Sequence, residues 1–445
     1  MPEQESTGTP FYIETHGCQM NIYDSEFIAD VLARNGYRRV ASPKEASVIL
    51  VNTCSVRDRA EKKALARIRE LAALKRDRRD LAIAVVGCMA QRLGPRLAGG
   101  ATGVDLVAGF DAYPSIPALL EDCGRAGRPT VATSKAPSFL YSLLPLEHPS
   151  ITAFVTIMQG CDNFCSYCIV PHVRGRERSK PCEAIIEEIE HLVGLGVKEV
   201  TLIGQNVNSY HDGNRDFAGL LARAGDVAGL GRLRFTTSHP KDLTLGLVEA
   251  VRDLRKVCEH LHLPLQSGSD RILALMNRGY AFRDFRKMVD FARHTIPNLA
   301  VTTDLMVGFP TETESDFQAT LKAVEDMRFD AAFMFRYSTR EGTEAARLAD
   351  DVPGQEKTRR LESVLSLQNS ITDQRKRSLV GREAEILIER PNPREPGFML
   401  GRTRENYLAK IPSEGVEMGE TVVAPISAVT RWIVVCDGSL RKVED

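Results

Sequence analysis

No stretch of this sequence is long and apolar enough to cross a bilayer, a task that takes about 20 consecutive apolar residues. The start, Met1 to Pro10, is polar and acidic with no apolar core, which argues against a secretory signal. Net charge is nearly absent as well, at −1. The whole molecule therefore has no field that draws nucleic acid, and any RNA affinity must come from local patches. These absences lead to the expectation of a cytoplasmic protein with no membrane association. In that setting the ten cysteines argue for metal binding or catalysis, not disulfides. With 445 residues, 26% charged and 43% hydrophobic, the chain has room for two or three soluble globular domains.

What is present centres on one loop, Cys161-Asp162-Asn163-Phe164-Cys165-Ser166-Tyr167-Cys168. It places three cysteines in C-x3-C-x2-C spacing directly after an apolar run, Ala153 to Met158. Thiolates this close converge on one centre. A tetrahedral zinc site or a self-contained iron–sulfur cluster takes four protein ligands, and the motif supplies three. If no fourth arrives, one metal position stays open for chemistry. The residues alone also allow a structural zinc loop with a distant fourth ligand, or three unrelated thiols. The stretch resembles the signature of the radical S-adenosylmethionine enzymes. That resemblance implies that Cys161, Cys165 and Cys168 hold a [4Fe–4S] cluster. Its fourth iron would bind the amino and carboxylate groups of S-adenosylmethionine.

Upstream, residues 9–125 read as a first domain. Phe11 to Thr15, Ser47 to Asn52 and Leu81 to Val86 read as strands, each followed by a helical segment such as Tyr23 to Arg34. Strand–helix alternation predicts a doubly wound parallel sheet, with ligands at the carboxyl ends of its strands. Cys18, Cys54 and Cys88 each stand just past a strand end. They are far apart in sequence, yet the fold would bring them to one edge. A lone cysteine after a strand is usually a small core residue; the repetition suggests a second three-thiol site. Gly17-Cys18-Gln19-Met20-Asn21, Asn52-Thr53-Cys54-Ser55-Val56-Arg57 and Gly87-Cys88 resemble the amino-terminal domain of the methylthiotransferases. In that family these cysteines hold an auxiliary [4Fe–4S] cluster. Cys123, Cys182, Cys258 and Cys436 match no such motif and read as structural thiols. Arg57 to Arg79 carries ten Lys/Arg against four Asp/Glu. It is either a solvated helix face or, beginning at Arg57, a surface for RNA phosphates. Proline-containing Ala136 to Ser150 reads as a linker.

Residues 146–377 read as a central domain. Ala153–Met158, Glu199–Ile203, Leu233–Thr237, His260–Leu263, Ala300–Val307 and Ala331–Tyr337 alternate with helical stretches. Six βα units predict a partial parallel barrel, (β/α)6 rather than the eight units of a closed one. The radical S-adenosylmethionine core has this form. Polar clusters fall at the strand ends: Gly204 to Asn208, Ser238-His239-Pro240, Gln266 to Ser269, and Asp304 within the fifth strand. A polar turn after a strand is common, and each alone says little. By resemblance, Gln205 and Asn206 meet the amino end of S-adenosylmethionine, and Ser238, Gln266 and Asp304 contact its ribose or carboxylate. His172, Arg174, Arg176, Arg178 and Lys180 follow the cysteine loop, and Pro171 to Gly175 matches the family's Pro-x-x-Arg-Gly segment. The run either binds phosphate, with Arg174 a candidate RNA contact, or is solvated.

Residues 378–444 change character. Val380–Glu389, Phe398–Arg402, Asn406–Ile411, Thr421–Ile426 and Trp432–Cys436 read as short strands of a small antiparallel barrel. Gly401-Arg402-Thr403-Arg404-Glu405-Asn406 resembles the Gly-Arg-Thr-x-x-Asn motif of the TRAM domain, an RNA-binding barrel. From residue 378 to the end there are nine Lys/Arg against eleven Asp/Glu. RNA contact would thus rest on a local face, with Arg402 and Arg404 leading; the alternative is a structural cap.

The methylthiotransferase resemblance covers about residues 10–440. It implies two steps that use S-adenosylmethionine. The first cluster reduces S-adenosylmethionine to a 5′-deoxyadenosyl radical, and the auxiliary cluster presents methylated sulfur to the carbon that the radical activates. Tyr23-Asp24-Ser25-Glu26, Gly204-Gln205-Asn206-Val207-Asn208 and Thr236-Thr237-Ser238-His239-Pro240 resemble the branch acting on tRNA. That branch modifies the adenine C2 carbon of N6-isopentenyladenosine beside the anticodon. Alternatives are the branch that modifies threonylcarbamoyl-adenosine, the branch that modifies a ribosomal-protein aspartate, and a non-catalytic iron–sulfur protein for RNA binding or electron transfer. Implied partners are the tRNA anticodon stem-loop, a reductant such as flavodoxin or ferredoxin, and a sulfur donor, with the protein a monomer. No general base is identifiable, and the catalytic residues are unknown at this level. His16 departs from the family pattern beside Cys18, as a tuning residue or a plain substitution.

Overall fold

A computed structural model describes residues 8–55, 58–99, 102–135, 141–146, 148, 150–431 and 433–443. The chain divides into two compact units. One comprises residues 1–147, 154–162 and 168–180, and the other 148–153, 163–167 and 181–445. The division passes through the cysteine loop, so Cys161 and Cys168 belong to the first unit and Cys165 to the second.

The first unit is built on a sheet of β1 (Thr9–His16), β2 (Tyr37–Arg39), β3 (Val48–Thr53), β4 (Ala82–Gly87), β5 (Leu106–Ala108) and β6 (Thr130–Ala132). Its order is β2-β1-β3-β4-β5-β6, with every pair parallel. The expected parallel sheet is present, and β2, β5 and β6 extend it beyond the three strands legible in sequence. These strands are three residues each, too short to show a period. Helices α1 (Gln19–Arg34), α2 (Asp58–Ala73), α3 (Cys88–Leu93) and α4 (Ile116–Ala126) connect the strands. Strand order reverses between β1 and β3, the place where such sheets bind ligands. Ile49, Val51, Ile83, Val85 and Val107 share a core with Ile68 and Leu71 of α2 and Met89 and Ala90 of α3, while α1 packs against α4. The proline-rich stretch is not wholly a linker, because Tyr141 is buried in this unit with its ring 4.0 Å from that of Phe27.

The central strands are β7 (Thr152–Thr156), β10 (Glu199–Ile203), β11 (Arg232–Phe235), β12 (His260–His262), β13 (Ala300–Val307) and β14 (Ala331–Arg336). Between the first two in sequence lie β8 (Met158–Gln159) and β9 (Arg178–Ser179), an antiparallel pair in the first unit, with α5 (Val170–Arg174) between them. The strands run β7-β10-β11 and β12-β13-β14, and a single parallel bridge, Leu233 to Val257, links the two triplets. Helices α6 (Cys182–Gly194), α7 (Phe217–Gly225), α8 (Leu245–Asp253), α9 (Asp270–Leu275), α10 (Phe282–Thr295), α11 (Glu314–Met327) and α12 (Gly354–Arg377) intervene or follow. This is the six-unit partial barrel that the sequence predicts.

The last sheet comprises β15 (Glu383–Pro391), β16 (Phe398–Thr403), β17 (Leu408–Pro412), β18 (Thr421–Pro425), β19 (Ala428–Val429), β20 (Ile433–Val435) and β21 (Arg441–Lys442). It is antiparallel apart from the β17–β20 pair and closes over Ile386, Ile388, Ile411 and Val422. It belongs to the same compact unit as the barrel strands. Arg234 explains why: it donates to the carbonyls of Thr403 and Arg404, both at 2.7 Å, and pairs with Glu199 at 2.9 Å.

Candidate active site

In the first unit three strand ends are level, since His16 pairs with Thr53 and Thr53 with Gly87. Cys18, Cys54 and Cys88 follow directly. Cys18 caps α1, which therefore starts at Gln19 and not at Tyr23. The cap is fixed from below: the Cys18 backbone N–H donates to Asn21 Oδ1 at 3.2 Å, and Asn21 Nδ2 donates to Asn52 Oδ1 at 2.9 Å. Asn52 Nδ2 returns a bond to the Asn21 carbonyl at 2.9 Å. Both glycine–cysteine pairs follow from this packing. A Cβ on Gly17 would sit 2.0 Å from Asn21 Oδ1, and one on Gly87 (φ +92°) would sit 2.5 Å from Asn52 Oδ1.

The hydrogen bond from Cys54 pulls the Cys18 thiol down to about 6, aided by the charge of Arg174 and opposed by burial. Burial pushes the Cys88 thiol up, and Arg174 partly offsets it. Arg174 is thus beside the thiols and away from solvent, at 3% side-chain exposure. Its Nη2 is 2.9 Å from Asp24 Oδ2, and its guanidinium lies 4.1 Å over the Phe110 ring. Tyr113 and Tyr141 also donate to Asp24. The expectation of Arg174 at an RNA phosphate is corrected accordingly: the side chain is used inside the protein. Its buried Nη1 has no hydrogen-bond partner, which suits a sulfur-rich anionic group. Among the described residues no three His, Cys, Asp or Glu side chains converge as they would on one metal ion. His16 turns to Glu14, 2.7 Å away.

In the second unit, Cys165 is 9% exposed and accepts a bond from Arg278 Nη1 at 3.3 Å. His239 Nε2 lies 4.0 Å from the same sulfur, and burial, with Arg278 and Lys241 nearby, keeps its imidazole neutral. The chain following α9 holds this part of the loop. Ser166 binds the carbonyls of Met276 and Leu275, and Asn277 Nδ2 binds that of Phe164 at 3.0 Å. Phe164 itself has φ +47° and is 45% exposed.

The strand-end polar residues divide into two sets. Asn206 is 1% exposed, and both ends of its amide are taken, by Asp242 at 2.7 Å and by the His239 N–H at 2.9 Å. It acts as a staple between two strand-end turns. Ser238 Oγ and both amide atoms of Asn208, in contrast, are buried without hydrogen-bond partners. A polar ligand such as S-adenosylmethionine would satisfy such orphaned groups. Gln205 is half-buried. Gln266 is buried with φ +72°, its backbone bridging to β13 through the Asp304 carbonyl. Asp304 is 26% exposed and 3.6 Å from His262.

Of the expected RNA contacts, Arg57 lies outside the described residues. Arg404 is corrected: it forms a two-pronged pair with Glu259, at 2.7 and 2.8 Å, and donates to the Val257 carbonyl, joining the last sheet to the barrel. Arg402 is 38% exposed beside Glu389 at 3.2 Å. The basic run after Cys54 is partly consumed too, by Arg67–Glu14 and Lys75–Asp105. Sequence reasoning missed Arg278 and Asp24 as site residues. Asp24 was findable, since Tyr23, Phe27 and Ile28 place it on the buried side of α1, where a carboxylate needs a cation. Arg278 lies in a turn where no periodicity marks burial.

Sequence profiles of an uncharacterized protein family, UPF0004, of the Radical SAM superfamily and of the TRAM domain match residues 10–109, 155–324 and 377–434. The tRNA-2-methylthio-N(6)-dimethylallyladenosine synthase of Moorella thermoacetica is 46% identical over 95% of this chain and 97% of its own. Its namesake from Syntrophomonas wolfei is 46% identical over 92% and 93%. Among solved structures, the radical S-adenosylmethionine methyltransferase TsrM from Kitasatospora setae, with cobalamin and a [4Fe–4S] cluster bound, superposes with a TM-score of 0.57. It shares 13% identity over 76% of this chain and 74% of that one, a likeness of fold. The chain belongs to the tRNA-2-methylthio-N(6)-dimethylallyladenosine synthase family, methylthiotransferases of the radical S-adenosylmethionine superfamily.

Proposed function

We propose that this protein methylthiolates the adenine C2 carbon of N6-isopentenyladenosine next to the anticodon of tRNA. It is an enzyme whose cofactors are S-adenosylmethionine and [4Fe–4S] clusters, two of them being typical of its family. The observation carrying the substrate is the similarity, at 46% identity over nearly the whole chain, to enzymes named for that product. Cys161, Cys165 and Cys168 would hold one cluster, and Cys18, Cys54 and Cys88 the other. These cofactors supply homolysis of S-adenosylmethionine and transferable sulfur. Ser238 and Asn208 would orient S-adenosylmethionine through their unpartnered polar atoms, with Gln205, Gln266 and Asp304 lining the same strand ends. Arg402 would meet a tRNA phosphate at the TRAM surface. The protein would work as a cytoplasmic monomer with a flavodoxin- or ferredoxin-like reductant and a separate sulfur donor.

Nucleoside mass spectrometry of tRNA from a strain lacking the protein tests this. Methylthio-isopentenyladenosine should vanish and isopentenyladenosine accumulate. Unchanged levels refute the substrate. Loss of a methylthio-threonylcarbamoyl nucleoside would reassign the enzyme to another branch.

A further inference from the structure

Arg278 is 4% exposed. Its Nε donates to the Tyr280 hydroxyl at 3.0 Å and its Nη2 to the Pro264 carbonyl at 2.7 Å. Its Nη1 reaches Cys165 Sγ at 3.3 Å and the Tyr167 hydroxyl at 3.4 Å. The guanidinium lies 5.3 Å from the centre of the Tyr280 ring. Among the described residues no carboxylate pairs with it. All its acceptors are neutral save one, the sulfur of Cys165, which is anionic when it ligates iron. A buried cation without a counter-charge is costly, and proteins retain one where an anion is meant to sit. Arg174 differs here, because Asp24 already neutralises it at 2.9 Å.

We infer that Arg278 is a positioning residue that supplies the fixed counter-charge of the cluster on the Cys161–Cys168 loop and holds its reduction potential up. Three thiolates leave such a cluster anionic, and one-electron reduction makes it more so. A cation against Cys165 stabilises the reduced form more than the oxidised one. The hydrogen bond to the sulfur acts in the same direction. The inference rests on the cluster reading of the loop, not on the identity of the RNA.

The test is a redox titration, followed by electron paramagnetic resonance, of full-length protein carrying C18A, C54A and C88A, so that one cluster remains. R278Q should shift the midpoint potential to more negative values, and R278K, which keeps the charge, should restore most of the difference. Iron and sulfide content is measured in parallel. Loss of cluster from R278Q with retention in R278K supports the same role. A wild-type potential in R278Q, or equal behaviour of R278Q and R278K, overturns it. The readout needs no tRNA, so its failure and failure of the substrate assignment are distinguishable.

Discussion

Replacing Arg174 by Met should unlock the edge of the first unit. The change leaves Asp24, whose side chain is fully buried, facing Tyr113 and Tyr141 with no cation. Burial already pushes the Asp24 carboxyl upward, and the charge of Arg174 is the largest opposing influence. Breaking a buried pair by removing one partner costs about 3–5 kcal/mol, because an unpaired charge stays behind. The tyrosine hydroxyls and protonation of the freed carboxyl recover part of this, so about 3 kcal/mol is expected. Replacing both partners, Asp24→Leu with Arg174→Met, removes both charges and should cost less than R174M alone. The assay is hydrogen exchange by mass spectrometry on cluster-free protein, following peptides from Gln19–Arg34 and Val170–Arg174. A loss of about 3 kcal/mol appears as roughly hundredfold faster exchange in those peptides, at 1.4 kcal/mol per factor of ten. Exchange within threefold of wild type, or strictly additive single and double variants, would sink the argument that these charges are held for one another.

Acid should weaken the second unit through His260, whose imidazole burial pushes down to about 3 from 6.5. The unfolded chain binds that proton first, so stability is full above pH 6.5 and falls toward pH 3. The slope is about 1.4 kcal/mol per pH unit, and urea titrations of H260Q between pH 7 and pH 4 should be flatter than wild type. In the first unit, G87A forces a Cβ to 2.5 Å from Asn52 Oδ1 at φ +92°, which should cost about 2 kcal/mol or more. Its iron content should fall toward half while the cluster of the loop remains; full iron content would contradict the packing argument. At the TRAM surface, R402A should weaken tRNA binding and lower the salt slope by about one. R404A should leave that slope nearly unchanged and instead destabilise the joint with Glu259, a contrast that filter binding across salt concentrations resolves.

The legible parts were those written in short-range pattern. Buried runs such as Val-Ile-Leu-Val in β3 and Ala300–Val307 in β13 mark strands without tertiary help, and C-x3-C-x2-C is a complete local statement. The place of Cys18, Cys54 and Cys88 just past three level strand ends was legible at one remove, because strand ends in a parallel sheet share an edge. The fate of charged residues was not legible. Arg174 and Arg404 read as surface cations, yet each is consumed by a carboxylate far away in sequence, Asp24 and Glu259. Long basic side chains carry no mark of burial, since the partner that makes burial tolerable is chosen by the fold. Asn206 shows the same limit: its position after β10 is written in the sequence, while the partners of its amide, Asp242 and His239, are chosen by the fold.

The two sets of three thiols that would hold the proposed clusters are assembled by different routes, and the difference has a consequence. Cys161, Cys165 and Cys168 lie within eight residues of sequence, so their spacing survives small shifts in the surrounding strands. Cys18, Cys54 and Cys88 come from three adjacent strands, so their spacing is the register of β1, β3 and β4 itself. A one-residue slip in any of these pairings would move a thiol along the edge by about 3.3 Å. The Asn21–Asn52 exchange, tying the start of α1 to the end of β3 at 2.9 Å in both directions, is the device that fixes two of the three. N52A should therefore release iron from the auxiliary site before secondary structure is lost, while the loop retains its own. Simultaneous loss of both clusters in that variant would show that the exchange supports the fold at large and not the register of the thiols.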